Sequence, residues 1–242
     1  MADLPRIWAT TRIGLVRATN EDRCRVGGWR SEGIDTDWAG SLDKSRPWAI
    51  VADGMGGHLA GDFASETAVD ELDRLMAGSN GRAELSRIIN EANRGVFEAM
   101  HRSRGRPAMG TTIAGLWVEG PNLSLFNVGD SRAYLLRDSK LEMRSIDHIL
   151  RKSLPSGQRS HALTQSLGGS AYSLPLLPHI ESIIIRSGDT VLLCTDGLTD
   201  MLTDEIIASA MRTSPTGAAK KLADAAVSAG GRDNVTVVIV SF

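Results

Sequence analysis

Apolar residues along the chain fall into two kinds of run. Short β-branched and leucine-rich runs at 7–13, 48–52, 111–118, 123–128, 133–136, 182–185, 190–194 and 235–240 each predict a strand. Between the second and third of these lie two long segments with helical spacing. Residues 61–76 align Ala64, Ala68, Leu72 and Leu75, and residues 82–101 align Leu85, Ile88, Ile89, Ala92, Val96 and Met100. Two more helices are predicted over 203–212, where Thr203 and Asp204 supply a capping start, and over 215–229. Strand pairs, two helices and further strand pairs imply a layered α+β fold with mainly antiparallel sheets. A doubly wound sheet would need helices alternating strictly with strands. Two stretches predict loops: 29–46, polar and glycine-containing, and 150–161, basic and broken at Pro155 and Gly157.

Composition narrows the function classes. The chain has 242 residues, 42% of them hydrophobic, enough for a sizeable core. Its 27 basic and 29 acidic residues leave a net charge of −2, so no global field draws it to nucleic acid or anionic lipid. No apolar run approaches the ~18 residues of a membrane helix, and the start has no basic-then-apolar leader plan. Cys24 and Cys194 are too few for a disulfide framework and lack zinc-ligand spacing; in their apolar stretches they read as inert thiols. The expectation is one domain over 1–242, soluble, cytoplasmic and monomeric, binding neither nucleic acid nor membrane.

The chemistry lies in the aspartates. Four strand-like segments border an aspartate in a turn: Val51-Ala52-Asp53-Gly54, Val128-Gly129-Asp130-Ser131, Cys194-Thr195-Asp196-Gly197 and Gly231-Arg232-Asp233-Asn234. Any one of them reads as an ordinary hairpin turn. Four of them can converge on one sheet edge, where packed anions repel unless a cation joins them. A set of oxygen donors without partnered cysteine or histidine suits Mg²⁺ or Mn²⁺ rather than zinc, and several carboxylates can hold two ions about 3.5–4 Å apart. A fifth acidic element, Arg17-Ala18-Thr19-Asn20-Glu21-Asp22, reads either as a charged turn or as metal-side carboxylates with an arginine for a phosphate oxygen.

These motifs, with Met55-Gly56-Gly57-His58, Met109-Gly110-Thr111-Thr112, Arg132-Ala133-Tyr134, Asp147-His148, Leu163-Thr164-Gln165-Ser166-Leu167-Gly168-Gly169 and Val235-Thr236, occur in one order along nearly the whole chain. The ordered set resembles the metal-dependent serine/threonine protein phosphatases of the PPM (type 2C-like) family in their compact bacterial form. The resemblance implies a central β-sandwich flanked by helices on both faces, with two ions, Mn²⁺ or Mg²⁺, at one edge. Position by position, Asp53 would bridge the ions and Gly54 would lend its carbonyl. Asp196 and Asp233 would complete one ion's ligands, and Glu21 would serve the other with Asp22 orienting water. Asp130 and Asp196 match a third, weaker site, and Arg17 matches the phosphate-binding arginine. Residues 109–112 and 163–169 read as scaffold. The implied reaction is attack of a metal-activated water on a phosphoserine or phosphothreonine of a protein, reversing a Hanks-type kinase.

Two departures stand out. Eukaryotic members carry a histidine after the Asp-Gly pair, where this chain has Met55, which cannot donate a proton. His58 reads as a cap or packing residue before the helix, leaving water on the metals as the expected donor. The flap, 149–162, is shorter than is common in the family, and the 29–46 loop with Trp38 could supply some of the missing contacts. Two alternatives stay open. One is a catalytically weak scaffold module, which would normally show a broken ligand set. The other is a partner-switching stress phosphatase, which usually lacks the segment from Arg17 to Asp22.

Overall fold

The computed structural model describes residues 4–56, 60–102, 109–150, 162–170 and 172–242. The chain opens with β1 (Arg6–Arg12), β2 (Asp22–Val26), β3 (Trp29–Arg30), β4 (Thr36–Ser41) and β5 (Trp48–Met55), then forms α1 (Gly61–Ala77) and α2 (Leu85–Arg102). Strands β6 (Gly110–Thr111), β7 (Ile113–Glu119), β8 (Asn122–Val128), β9 (Arg132–Arg137) and β10 (Lys140–Met143) follow. After them come β11 (Leu167–Gly168), β12 (His179–Ile184) and β13 (Thr190–Cys194). Helices α3 (Asp196–Thr199), α4 (Asp204–Thr213) and α5 (Ala218–Ser228) lead to β14 (Val235–Ser241).

One sheet runs β10-β9-β13-β14-β1-β4 and the other β11-β6-β5-β7-β8-β12, with β2 on β5 and β3 on β2. All the pairings are antiparallel. Alternate residues of the central strands enter different cores, as the two-residue period of a strand requires. Val191, Leu193, Val238 and Val240 meet Ala49, Val51, Leu116 and Leu125 between the sheets. Leu192, Cys194, Val237 and Ile239 face Ile207, Met211, Leu222 and Ala226 of α4 and α5. Trp48, Ile50 and Ala52 face Leu72, Ile88, Ile89 and Val96 of α1 and α2. The result is helices, sheet, sheet, helices, as the resemblance implied.

The 29–46 segment is not the loop that its composition suggests. It contains β3 and β4, and β4 pairs along β1 from Thr36↔Thr11 to Ser41↔Arg6. As an edge strand β4 alternates half-buried and exposed residues, so its apolar content is low. Trp38 stacks on Trp29 with centroids 5.0 Å apart and planes 9° off parallel, and both pack against the core between the sheets instead of standing over the strand-end aspartates. Both cysteines are buried and free, and burial pushes each thiol up to about 12, consistent with inert residues. Among the described residues no helix is long and apolar enough to cross a membrane.

Candidate active site

A cavity of about 490 Å³ opens where the strand-end aspartates meet. Arg17, Glu21, Asp53, Gly54, Asp130, Asp196 and Asp233 all line it. Asp22, the remaining expected residue, is 1% exposed and stands opposite Asp53 in the register of β2 and β5. The cavity therefore joins side chains drawn from both sheets and from the 13–21 loop.

Local geometry shows why each group stays there. Thr112 N donates to Asp53 O (2.9 Å) and Thr111 Oγ1 donates to the same oxygen (2.8 Å), which pins the end of β5. Gly54 N donates to Glu21 O (3.2 Å). A Cβ on Gly54 would lie 2.0 Å from Gly61 O and 2.7 Å from Glu21 O, so only glycine lets these three segments meet. Glu21 O also accepts from Ser65 Oγ (2.6 Å). Thr195 Oγ1 donates to Asp22 Oδ2 (2.8 Å) and accepts from Thr236 N (3.0 Å), tying Asp22 of one sheet to β14 of the other. Asp233 Oδ1 accepts from Asn234 N (2.8 Å), and its Oδ2 accepts from Arg17 Nη2 (2.5 Å). The Asp147-His148 motif supports the Asp130 turn: His148 Nδ1 accepts from Gly129 N (3.1 Å), and Arg132 forks onto Asp147.

The electrostatics follow from the crowding. Burial, then the charge of Asp196, pushes Asp130 up to about 7. Burial pushes Asp22 up to about 7 as well, against the stabilising bonds of Thr236 and Thr195. Asp53 is raised well above the ordinary carboxylate range by burial and by Asp196 and Asp22. Arg17 is pushed further up chiefly by its bond to Asp233.

These residues fit a hard divalent cation. Asp22 Oδ1 is buried with no hydrogen-bond partner among the described residues, and charge repulsion of this kind is what a bound cation relieves. Every candidate side-chain donor is an oxygen, as Mg²⁺ and Mn²⁺ prefer. Among the described residues no group of three or more His, Cys, Asp or Glu is placed to hold an ion unaided. Mg²⁺ characteristically keeps several waters and takes one or two carboxylates, so an open cradle suits it.

Some lining residues were not read as functional from the sequence. Thr112, Leu163, Ser166 and Gly169, expected as scaffold, also line the cavity. Asn234 lines it too, and the only local signal for it is its place directly after Asp233. Met55 is at the cavity wall. His58 and residues 151–161 of the flap lie outside the described residues, although Ile149 and Leu163 at the flap's two ends pair across a bridge.

A two-sheet sandwich between helical layers, with one acidic, oxygen-lined edge, is the architecture of a phosphatase class. Residues 35–228 match the protein phosphatase 2C family, and the chain belongs to it. It is 32% identical over 245 residues to the serine/threonine protein phosphatase PstP of Mycobacterium tuberculosis (strain CDC 1551 / Oshkosh). That alignment covers 97% of this chain and 44% of PstP, so the chain spans less than half of that relative's length. It is 31% identical over 218 residues to the serine/threonine phosphatase Stp of Listeria monocytogenes serotype 4b, covering 81% of this chain and 84% of Stp. The crystal structure of the PstP catalytic domain in complex with two manganese ions superimposes with a TM-score of 0.79 at 30% identity, covering 99% of each chain.

Proposed function

We propose that the chain hydrolyses phosphoserine and phosphothreonine in proteins, with two divalent ions, Mn²⁺ or Mg²⁺, held at the acidic cavity. The observation that carries this reading is the convergence of Arg17 with five carboxylates on one cavity. Asp53 would be shared by the two ions and Gly54 would lend its carbonyl, with Asp196 and Asp233 holding one ion and Glu21 the other, and Asp22 orienting water. Asp130 and Asp196 would hold a third, weaker ion. When bound, such ions supply a nucleophile from water near neutral pH and neutralise phosphoryl charge.

The chain's own residues supply the rest. Arg17 has a side chain about half exposed, 53%, so its guanidinium can turn from Asp233 to a phosphate and bind two oxygens side by side. That grip orients phosphorus for in-line attack and lowers the charge that develops on its oxygens. Asp22 is buried and its Oδ2 accepts from Thr195 Oγ1, which fixes the carboxylate that would orient water. Met55 supplies no proton, so the leaving alkoxide takes one from water. The phosphoryl groups removed are those that a Hanks-type kinase adds to proteins of the same cell, where the chain acts in signalling in the cytoplasm.

The test is turnover of p-nitrophenyl phosphate and of a phosphothreonine peptide with Mn²⁺, Mg²⁺, Zn²⁺ or EDTA. Activity with the first two, and loss with EDTA, is expected; zinc should not substitute. Full turnover by extensively chelated protein would overturn the two-ion reading.

A further inference from the structure

We infer that Asn234 is a positioning residue for phosphate binding, because its side-chain amide clasps the loop that carries Arg17 to the strand start that carries Asp233. The inference rests on the activity proposed above. Asn234 Nδ2 donates to Ile13 O (2.8 Å) and Thr19 O (3.0 Å), and its Oδ1 accepts from Glu21 N (2.9 Å). One amide thus holds both feet of the 13–21 loop. Two carbonyls and one N–H around it leave only one orientation of the amide satisfied.

Apart from the pair of its guanidinium with Asp233, little packs on the loop's outer side among the described residues. Leu15 and Val16 are 69% and 68% exposed, and residues 17–19 are exposed as well. The Arg17 side chain therefore takes its position from the loop backbone and from Asp233 rather than from apolar packing. That backbone approaches the Asp233 segment closely. Leu15 N donates to Gly231 O (2.7 Å), and a Cβ on Gly14 (φ +82°) would lie 2.5 Å from Asp233 O. Asn234 itself is 5% exposed, so its polar atoms are spent within this clasp. Its donor end sets Arg17 and its acceptor end sets Glu21. No common side chain of that length offers two donors and an acceptor: aspartate would turn oxygens toward two carbonyls, and serine has a single donor.

The test is a double-variant cycle with Asn234→Ala and Arg17→Ala, read as KM and kcat for a phosphothreonine peptide at saturating Mn²⁺. Hydrogen exchange of the loop amides is followed in parallel on the metal-free chain. Asn234→Ala should raise KM about tenfold, and that effect should shrink below about twofold when Arg17 is already alanine, because the two act as one unit. Exchange at residues 15–19 should quicken about tenfold or more while β13 and β14 keep their protection. Asn234→Ser, which keeps one donor, should fall between wild type and alanine, and replaces alanine if that variant fails to fold. KM effects that multiply in the double variant, or unchanged loop exchange, would overturn the clasp. A wild-type chain without Mn²⁺-dependent turnover would instead overturn the phosphatase reading.

Discussion

Asp22 and Asp53 are cross-strand partners on β2 and β5. Like charges set directly opposite each other weaken an antiparallel pair, and burial of Asp22 sharpens the repulsion. The arrangement persists because each partner is held from elsewhere. Thr195 Oγ1 reaches across from the other sheet to Asp22, while Thr111 and Thr112 pin the backbone of Asp53. The sheet thus stores two oxygen donors side by side at the base of the cavity, a costly placement that a divalent cation offsets.

Stability should depend on pH in a direction that this pair sets. Asp22 and Asp130 are raised to about 7 from an ordinary 3.8, and Asp53 is raised as well. Between those values the cation-free folded chain binds more protons than the unfolded chain, so its stability falls as pH rises through the window. Because these carboxylates titrate as one interacting set, Tm should drop on the order of 10 °C from about pH 4 to about pH 8. Differential scanning calorimetry in EDTA measures this. Mn²⁺ should raise Tm more at the higher pH, and a flat profile would contradict the electrostatic account.

Asp53→Asn separates holding a metal from holding the fold. Turnover should fall at least about a hundredfold, the scale of losing several kcal/mol of charge stabilisation. The metal-free variant should be no less stable than wild type, since one buried like charge is gone. Activity within tenfold of wild type at saturating Mn²⁺ would remove Asp53 from the bridging position.

Arg17→Ala should act on substrate rather than on metal. The guanidinium pairs with Asp233, and an exposed pair of this kind contributes only about 0–1 kcal/mol to stability. KM for phosphate esters should rise, since ground-state and transition-state phosphates are both anionic. Lysine should restore only part of the affinity, having no bidentate fork. Calorimetric Mn²⁺ titration should show unchanged or tighter binding, because Asp233 is released. Weakened metal affinity with an unaltered KM would sink the phosphate-clamp role.

Thr195→Val keeps the shape of the side chain and deletes its two hydrogen bonds. Asp22 Oδ2 and Thr236 N would each lose the bond to Thr195 Oγ1, at about 1–3 kcal/mol for each buried group left unsatisfied. Urea unfolding should show a loss on that scale, and Thr195→Ser should recover most of it. A neutral valine variant would mean that the threonine does not brace Asp22.

Strands β5, β13 and β14 were legible because cores lie on both of their faces, so nearly every position must be apolar. The two long helices were legible through one buried stripe each. Strand β2 was not, since its arginines break the apolar pattern and are satisfied by partners outside it: Arg23 by Asn20 O, and Arg25 by Asp70 and Asp73 of α1. Strands β4 and β10 lie at opposite edges of one sheet, and no residue of either is fully buried, so no apolar stripe marks them. Helix α3 has four residues, too few for a helical period to show.

The sequence by itself determined the layered α+β architecture and the set of strand-end aspartates, because burial periodicity and turn chemistry are written into neighbouring residues. It also determined the candidate site through the order of its motifs. Only the tertiary structure decided which groups meet: Arg17 with Asp233 across 216 positions, Thr195 with Asp22 across 173, and Asn234 with Ile13 across 221. Those partnerships depend on how two sheets stack and where a loop returns. Hydrogen bonds act over about 3 Å of space, and a pattern read along the chain records local burial, not that distance.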